Sequence, residues 1–118
     1  MQIYQLPLGA LQTNCYIVPG ADSRAVVIDP ASVTEVEMFL NTHGLTLGTI
    51  IITHGHYDHF AGAAALQEHS GAKILASAPD EPMYSSAEKC WADFMPVEFR
   101  GIKPDKLYSD GEEFTAEG

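Results

Sequence analysis

Five consecutive residues, Thr49-Ile50-Ile51-Ile52-Thr53, constrain the fold more than any other part of the chain. All five are β-branched, stiff at χ1 and suited to a pleated surface. A continuous run of this kind, without polar alternation, suits a strand covered on both faces, as in a parallel sheet. Parallel neighbours need crossover connections, and the flanking segments supply them. Ala25–Ile28 reads as a short apolar strand ending at Asp29-Pro30. Ser32 and Glu35 then have capping-box spacing, and Val33, Val36, Phe39 and Leu40 share one helical face. Gly44 stands where a glycine closes a helix. Beyond the run, Thr53 to His59 reads as a loop leading into an alanine-rich helix of about ten residues, closed by Gly71, and Lys73–Ala76 reads as the next strand. Strand, helix, strand, helix, strand in that order predicts an α/β layer with right-handed crossovers. Upstream, Met1–Leu8 and Asn14–Val18 predict two strands joined by a glycine-containing turn.

The 118 residues allow one domain, 1–118. The net charge is −10, and the six basic residues (Arg24, Lys73, Lys89, Arg100, Lys103, Lys106) are scattered singly. A nucleic-acid partner would require a basic stripe, so the scattered bases disfavour that class. No apolar run approaches the roughly 18 residues that span a bilayer. The N-terminus lacks a basic region followed by an apolar one, which predicts a cytoplasmic protein. Cys15 and Cys90 follow no disulfide or CxxC pattern and read as buried structural residues. From Asp80 onward the character changes, with 10 of the 16 acidic residues in the last 39 positions. Asp80-Glu81-Pro82 reads as a helix start with Asp80 as N-cap. Residues 89–105 show no assignable period. Asp110-Gly111 signals a turn, and Glu113-Phe114-Thr115 begins a further strand.

Three of the five histidines fall within six residues, in Thr53-His54-Gly55-His56-Tyr57-Asp58-His59. At this composition the pattern H-x-H-x-D-H arises by chance in roughly 5 of 10,000 such chains. Imidazole nitrogen and carboxylate oxygen are ligands that zinc prefers. Two histidines one residue apart in extended backbone point the same way, so His54 and His56 can chelate one ion, with Gly55 bending the backbone and keeping the site open. Asp58 and His59 follow as the chain turns into a helix and can face a second ion. The cluster lies at the carboxyl end of the most apolar strand, where open α/β sheets place their sites. His43 and His69 stand near the C-terminal ends of predicted helices, where a histidine interacts well with the dipole, and read as surface residues.

With Leu8-Gly9, Asn14-Cys15-Tyr16, Val27-Ile28-Asp29-Pro30, the THGHYDH motif and Gly62, the sequence resembles the metallo-β-lactamase-fold hydrolase superfamily, in particular its glyoxalase II-like branch. The resemblance implies an αββα sandwich, of which this chain is the N-terminal half: a mixed sheet with helices on one face. It implies that His54 and His56 bind a first metal, that Asp58 and His59 bind a second, and that Asp58 also orients an attacking hydroxide. Asp29 would brace the metal loop from behind the ligands. Diiron flavoprotein relatives carry a glutamate at the position of His56, so the nitrogen-rich set here favours zinc, two ions in the full-length parent, with iron or manganese as alternatives.

The family's second half supplies further ligands, and no histidine follows His69 in this chain. The resemblance therefore implies a zinc-dependent hydrolase whose metal-held hydroxide attacks an acyl or thioester carbonyl, with the 118-residue piece inactive alone. The competing expectation is a catalytically silent metal-binding fragment that acts by association. A small-molecule ester or thioester is the expected substrate. Phosphodiester cleavage is disfavoured by the −10 charge, and a β-lactam substrate by the absence of a signal peptide. Strands 15–18, 26–28 and 50–52 read as buried on both sides, which without a second half leaves one sheet face uncovered. The expected assembly is a homodimer or a complex with the C-terminal half.

Overall fold

The computed structural model describes residues 3–9, 11–92 and 99–109. Six strands form one sheet whose spatial order follows the chain: β1 (Tyr4–Leu8), β2 (Thr13–Pro19), β3 (Arg24–Ile28), β4 (Thr46–Ile52), β5 (Lys73–Ser77) and β6 (Lys106–Tyr108). β2 runs antiparallel to both its neighbours, β1 and β3, and β3 to β6 are parallel. The mixed sheet follows from its connections. Gly9, at φ 73°, and the bond from the Gln12 amide to its carbonyl turn β1 tightly into β2. Between β3 and β4 runs helix α1 (Thr34–Thr42), and between β4 and β5 run α2 (Tyr57–Phe60) and α3 (Ala63–Ser70).

The register shows which face the helices cover. Ile17, Val27, Ile50 and Ile74 are cross-strand partners in one row, and all four are fully buried. They join Val36 and Leu40 of α1 and Ala63 and Leu66 of α3 in one core. The adjacent row, Tyr16, Ile28, Ile51 and Leu75, points to the other face and is only half-buried. These apolar strands thus have one closed face and one partly open face, as expected of such a sheet without a second half.

Three local expectations also change. The 32–35 pair does not form a capping box. Val33 is the N-cap residue of α1 and already lies near helical φ/ψ, and no side chain caps the helix. The Ser32 hydroxyl instead donates to the Glu35 carboxylate. The alanine-rich helix is broken in two at Gly62, whose amide donates to the Pro30 carbonyl at 2.8 Å. A Cβ there would lie 2.7 Å from the Ser32 carbonyl oxygen, so only glycine lets this corner sit against the loop after β3. Gly71, left-handed at φ 74°, ends α3 as expected.

Asp80 is not a helix N-cap. Residues 78–83 form a 3₁₀ segment that follows Ser77 with no side-chain capping bond, and the Asp80 carboxylate accepts the Gly55 amide at 2.9 Å. The described part of 89–105 is turns and irregular chain. The Asp110-Gly111 turn and the 113–115 strand lie outside the described residues, as do Met1 and Gln2. No helix among the described residues is long and apolar enough to cross a membrane.

Candidate metal centre

The histidine loop begins where β4 ends. Ile52 is the last strand residue, and its carbonyl accepts the Tyr108 hydroxyl at 2.7 Å, which ties the strand end to β6. The chain then crosses above the carboxyl ends of β3 and β4, where Asp29 waits. Asp29 is 4% exposed and adopts φ 56°. Aspartate tolerates this left-handed region better than most side chains. The Asp29 amide donates to the Ile51 carbonyl at 2.9 Å, so the carboxylate is held at the strand edge.

That carboxylate organises the loop. Oδ1 accepts the Thr53 amide at 2.7 Å, and Oδ2 accepts the Thr53 hydroxyl. Oδ2 also accepts Nδ1–H of His59 at 2.9 Å. This hydrogen bond holds the His59 pKa above the usual imidazole range, against the opposing effect of burial; the negative charges of Asp29 and Asp58 add to the rise. With Nδ1 engaged, His59 turns Nε2 toward Asp58, 3.6 Å from Oδ2. Asp58 is itself oriented by the Thr13 hydroxyl of β2, which donates to Oδ2 at 2.7 Å. The His54 and His59 rings lie 4.7 Å apart between centroids.

One potential ligand atom each of Asp29, His54 and His59 falls within 4.8 Å of the other two, a grouping that could hold a metal ion. Asp58 and His59 are the second and third residues of α2, so the helix start sets their spacing. His56 is not drawn into this group. Its exposed ring sits edge-on to Trp91, with centroids 5.8 Å apart. Tyr57, between the site residues, points inward at 2% exposure and packs on Phe60 and Phe99. The site opens into a cleft of about 500 Å³, walled by Gln12, Asn14, Tyr16 and Ile28 as well as by the loop.

Gly55 has a different role from the one its sequence suggests. A Cβ there would meet the Met83 sulfur at 2.6 Å and the Asp80 Cβ at 2.9 Å. The glycine therefore serves close approach of the 78–83 segment. Thr13, Thr53 and Asp80 carry no motif of their own. Thr53 stands inside the histidine motif, but only the three-dimensional placement of Asp29 reveals what its hydroxyl does. His43 and His69 lie away from the site: His43 stacks on Phe39, and His69 pairs with Glu37 across α1 and α3 at 2.9 Å.

A sequence model of the Metallo-beta-lactamase superfamily matches residues 8–118. The hydroxyacylglutathione hydrolase GloC of Haemophilus influenzae is 28% identical over 121 aligned positions, covering all of this chain and 57% of its own length. Among solved structures, the BLEG-1 B3 metallo-beta-lactamase superposes with a TM-score of 0.84 at 25% identity, over 97% of this chain and 56% of that one. TTHA1623, solved in a di-iron-bound form, superposes with a TM-score of 0.81 at 26% identity, over 94% of this chain and 56% of that one. The chain thus spans little more than half the length of these relatives.

Proposed function

We propose, since the chain belongs to the metallo-beta-lactamase superfamily, that it supplies the metal-gathering part of a metal-dependent hydrolase acting on acyl thioesters of the hydroxyacylglutathione kind. The observation that carries this reading is the convergence of Asp29, His54 and His59 within 4.8 Å, with Asp58 beside His59. The donor set fits the group: imidazole nitrogens and carboxylate oxygens suit zinc, and they also suit the iron named for one structural relative. His54 and His56 would hold one ion, Asp58 and His59 a second, and Asp29 would brace the loop through Thr53 and His59. When bound, such ions supply Lewis acidity to an acyl carbonyl and acidify water. Asp58, fixed at one oxygen by Thr13, would orient the attacking hydroxide. The cleft along Tyr16 and Ile28 would receive a small acyl substrate.

A second reading has a specific observation in its favour. His56 lies outside the grouping of Asp29, His54 and His59 and against Trp91, so this chain alone would hold one ion at most and would be catalytically silent. Dialysed chain should then carry no more than one zinc per molecule by elemental analysis, whereas a chain of the relatives' full length should carry two. In that full-length protein, His56→Ala should cut hydrolysis of a hydroxyacylglutathione thioester by more than about 100-fold, beyond the 10–100-fold typical of residues that only support a ligand. His69→Ala should leave the rate near wild type. Equal losses in the two variants would refute the placement of the site.

A further inference from the structure

We infer that Thr53 is a positioning residue that fixes the tautomer of His54, so that one buried carboxylate sets the protonation pattern of two imidazoles. For its consequence in metal binding, this rests on the metal-centre reading above; the tautomer itself does not. The Thr53 hydroxyl lies on Oδ2 of Asp29 and 2.8 Å from Nδ1 of His54. A hydroxyl carries a single proton, and an ionised carboxylate can only accept. The proton is therefore committed to Asp29, and the contact with His54 must run the other way, with Nδ1–H donating to the threonine oxygen. His54 is thus the Nδ1–H form, with its lone pair at Nε2.

His59 reaches the same state without an intermediary, since its Nδ1 donates directly to Asp29 Oδ2 at 2.9 Å. When neutral, both rings therefore present a bare Nε2, the form a metal ion needs. The two halves of the Thr53 contribution are separable. Its backbone amide anchors the loop to Oδ1 of Asp29 at 2.7 Å, and any residue can supply that bond. The hydroxyl alone reaches His54, and only serine or threonine can supply it at this length.

Thr53→Val keeps the amide and the β-branched shape and removes the hydroxyl. Long-range proton–nitrogen NMR on metal-free chain, over a pH series that runs upward until each ring is neutral, reads each histidine's tautomer directly. The wild type should show His54 as Nδ1–H. Thr53→Val should convert it to a mixture of both forms while leaving His59 as Nδ1–H, which also reports that the loop is intact. Thr53→Ser should restore the wild-type pattern, and Asp29→Asn should disturb both rings. Zinc affinity, measured by competition with a chromogenic chelator, should fall about 10–100-fold in Thr53→Val and recover in Thr53→Ser. An unchanged His54 tautomer in Thr53→Val overturns the inference, as does unchanged affinity in a chain that binds zinc. A shifted tautomer in a chain whose wild type takes up no zinc upholds the role of Thr53 and refutes the reading that this chain alone holds an ion.

Discussion

At the residue scale the site depends on a few acceptors in fixed positions. Asp29 receives three hydrogen bonds, from the Thr53 amide, the Thr53 hydroxyl and His59. Asp29→Ala should therefore destabilise the chain by about 2–3 kcal/mol, the range expected when donors lose a charged partner, as read from urea denaturation. A loss below the error of that measurement would mean that water replaces the carboxylate freely. Cys15 shows the opposite behaviour, a polar group with no role at the site. It is fully buried, and burial pushes its thiol up to about 12, with Asp29 adding to the rise. Because the folded state favours the neutral thiol, its contribution to stability is complete below the ordinary cysteine range, near 8.5, and is lost as pH rises toward about 12. Cys90 is equally buried, so neither thiol should react with Ellman's reagent at pH 7.5 until the chain is unfolded, when both should. Rapid labelling of Cys15 in native chain would contradict its burial. Cys15, His43 and His69 are legible as non-site residues because each sits in a strong local pattern. Thr13, Thr53 and Asp80 are not, since each acts through a partner at least 24 positions away.

At the scale of elements, the sequence pattern locates β3, β4, β5, α1 and the Gly71 helix end to within a few residues. It fails where packing overrides local preference. A continuous alanine-rich stretch favours one helix, yet the chain breaks at Gly62 because the corner must press against Ser32 and Pro30. That contact clamps the start of α3 to the loop carrying Asp29, so it supports the site from below. Glycine substitutions separate packing from backbone freedom. Gly62→Ala would set a methyl group against backbone atoms at 2.7 and 2.8 Å, which cannot move as a side chain can. Gly44→Ala meets open space and suffers only from its φ of 64°. Gly62→Ala should cost about 1–3 kcal/mol or more, as overpacking does, and Gly44→Ala about 1 kcal/mol. Chemical denaturation of both variants gives the comparison. If Gly44→Ala proved the more damaging, the corner would not be the clamp described.

At the scale of the whole molecule, the two faces of the sheet are unequal. The row Ile17, Val27, Ile50 and Ile74 is sealed by helices, while Tyr16, Ile28, Ile51 and Leu75 are half-buried and apolar across four adjacent strands. Tyr16 and Ile28 also wall the cleft at the histidine loop, so the open face and the candidate site are continuous. Whatever covers that face would also border the candidate metal centre, where the proposed function has room for further ligands. Soluble monomers rarely leave a contiguous apolar patch of more than a few hundred Å² uncovered, and a self-complementary sheet-to-sheet pair related by a two-fold axis is the simplest closed solution for a chain on its own. The isolated 118 residues should therefore run above 12.8 kDa by size exclusion with light scattering, as a dimer or larger assembly. Ile51→Lys should shift the population toward monomer. It places a charge at the centre of the open row and leaves the sealed row untouched, so helical circular dichroism should be preserved. Met38→Lys, on α1 and already 62% exposed, serves as the control and should change nothing. A monodisperse monomer near 12.8 kDa in the wild type would mean that the half-buried row is covered within the chain, and that the centre beside it is closed by this chain's own residues.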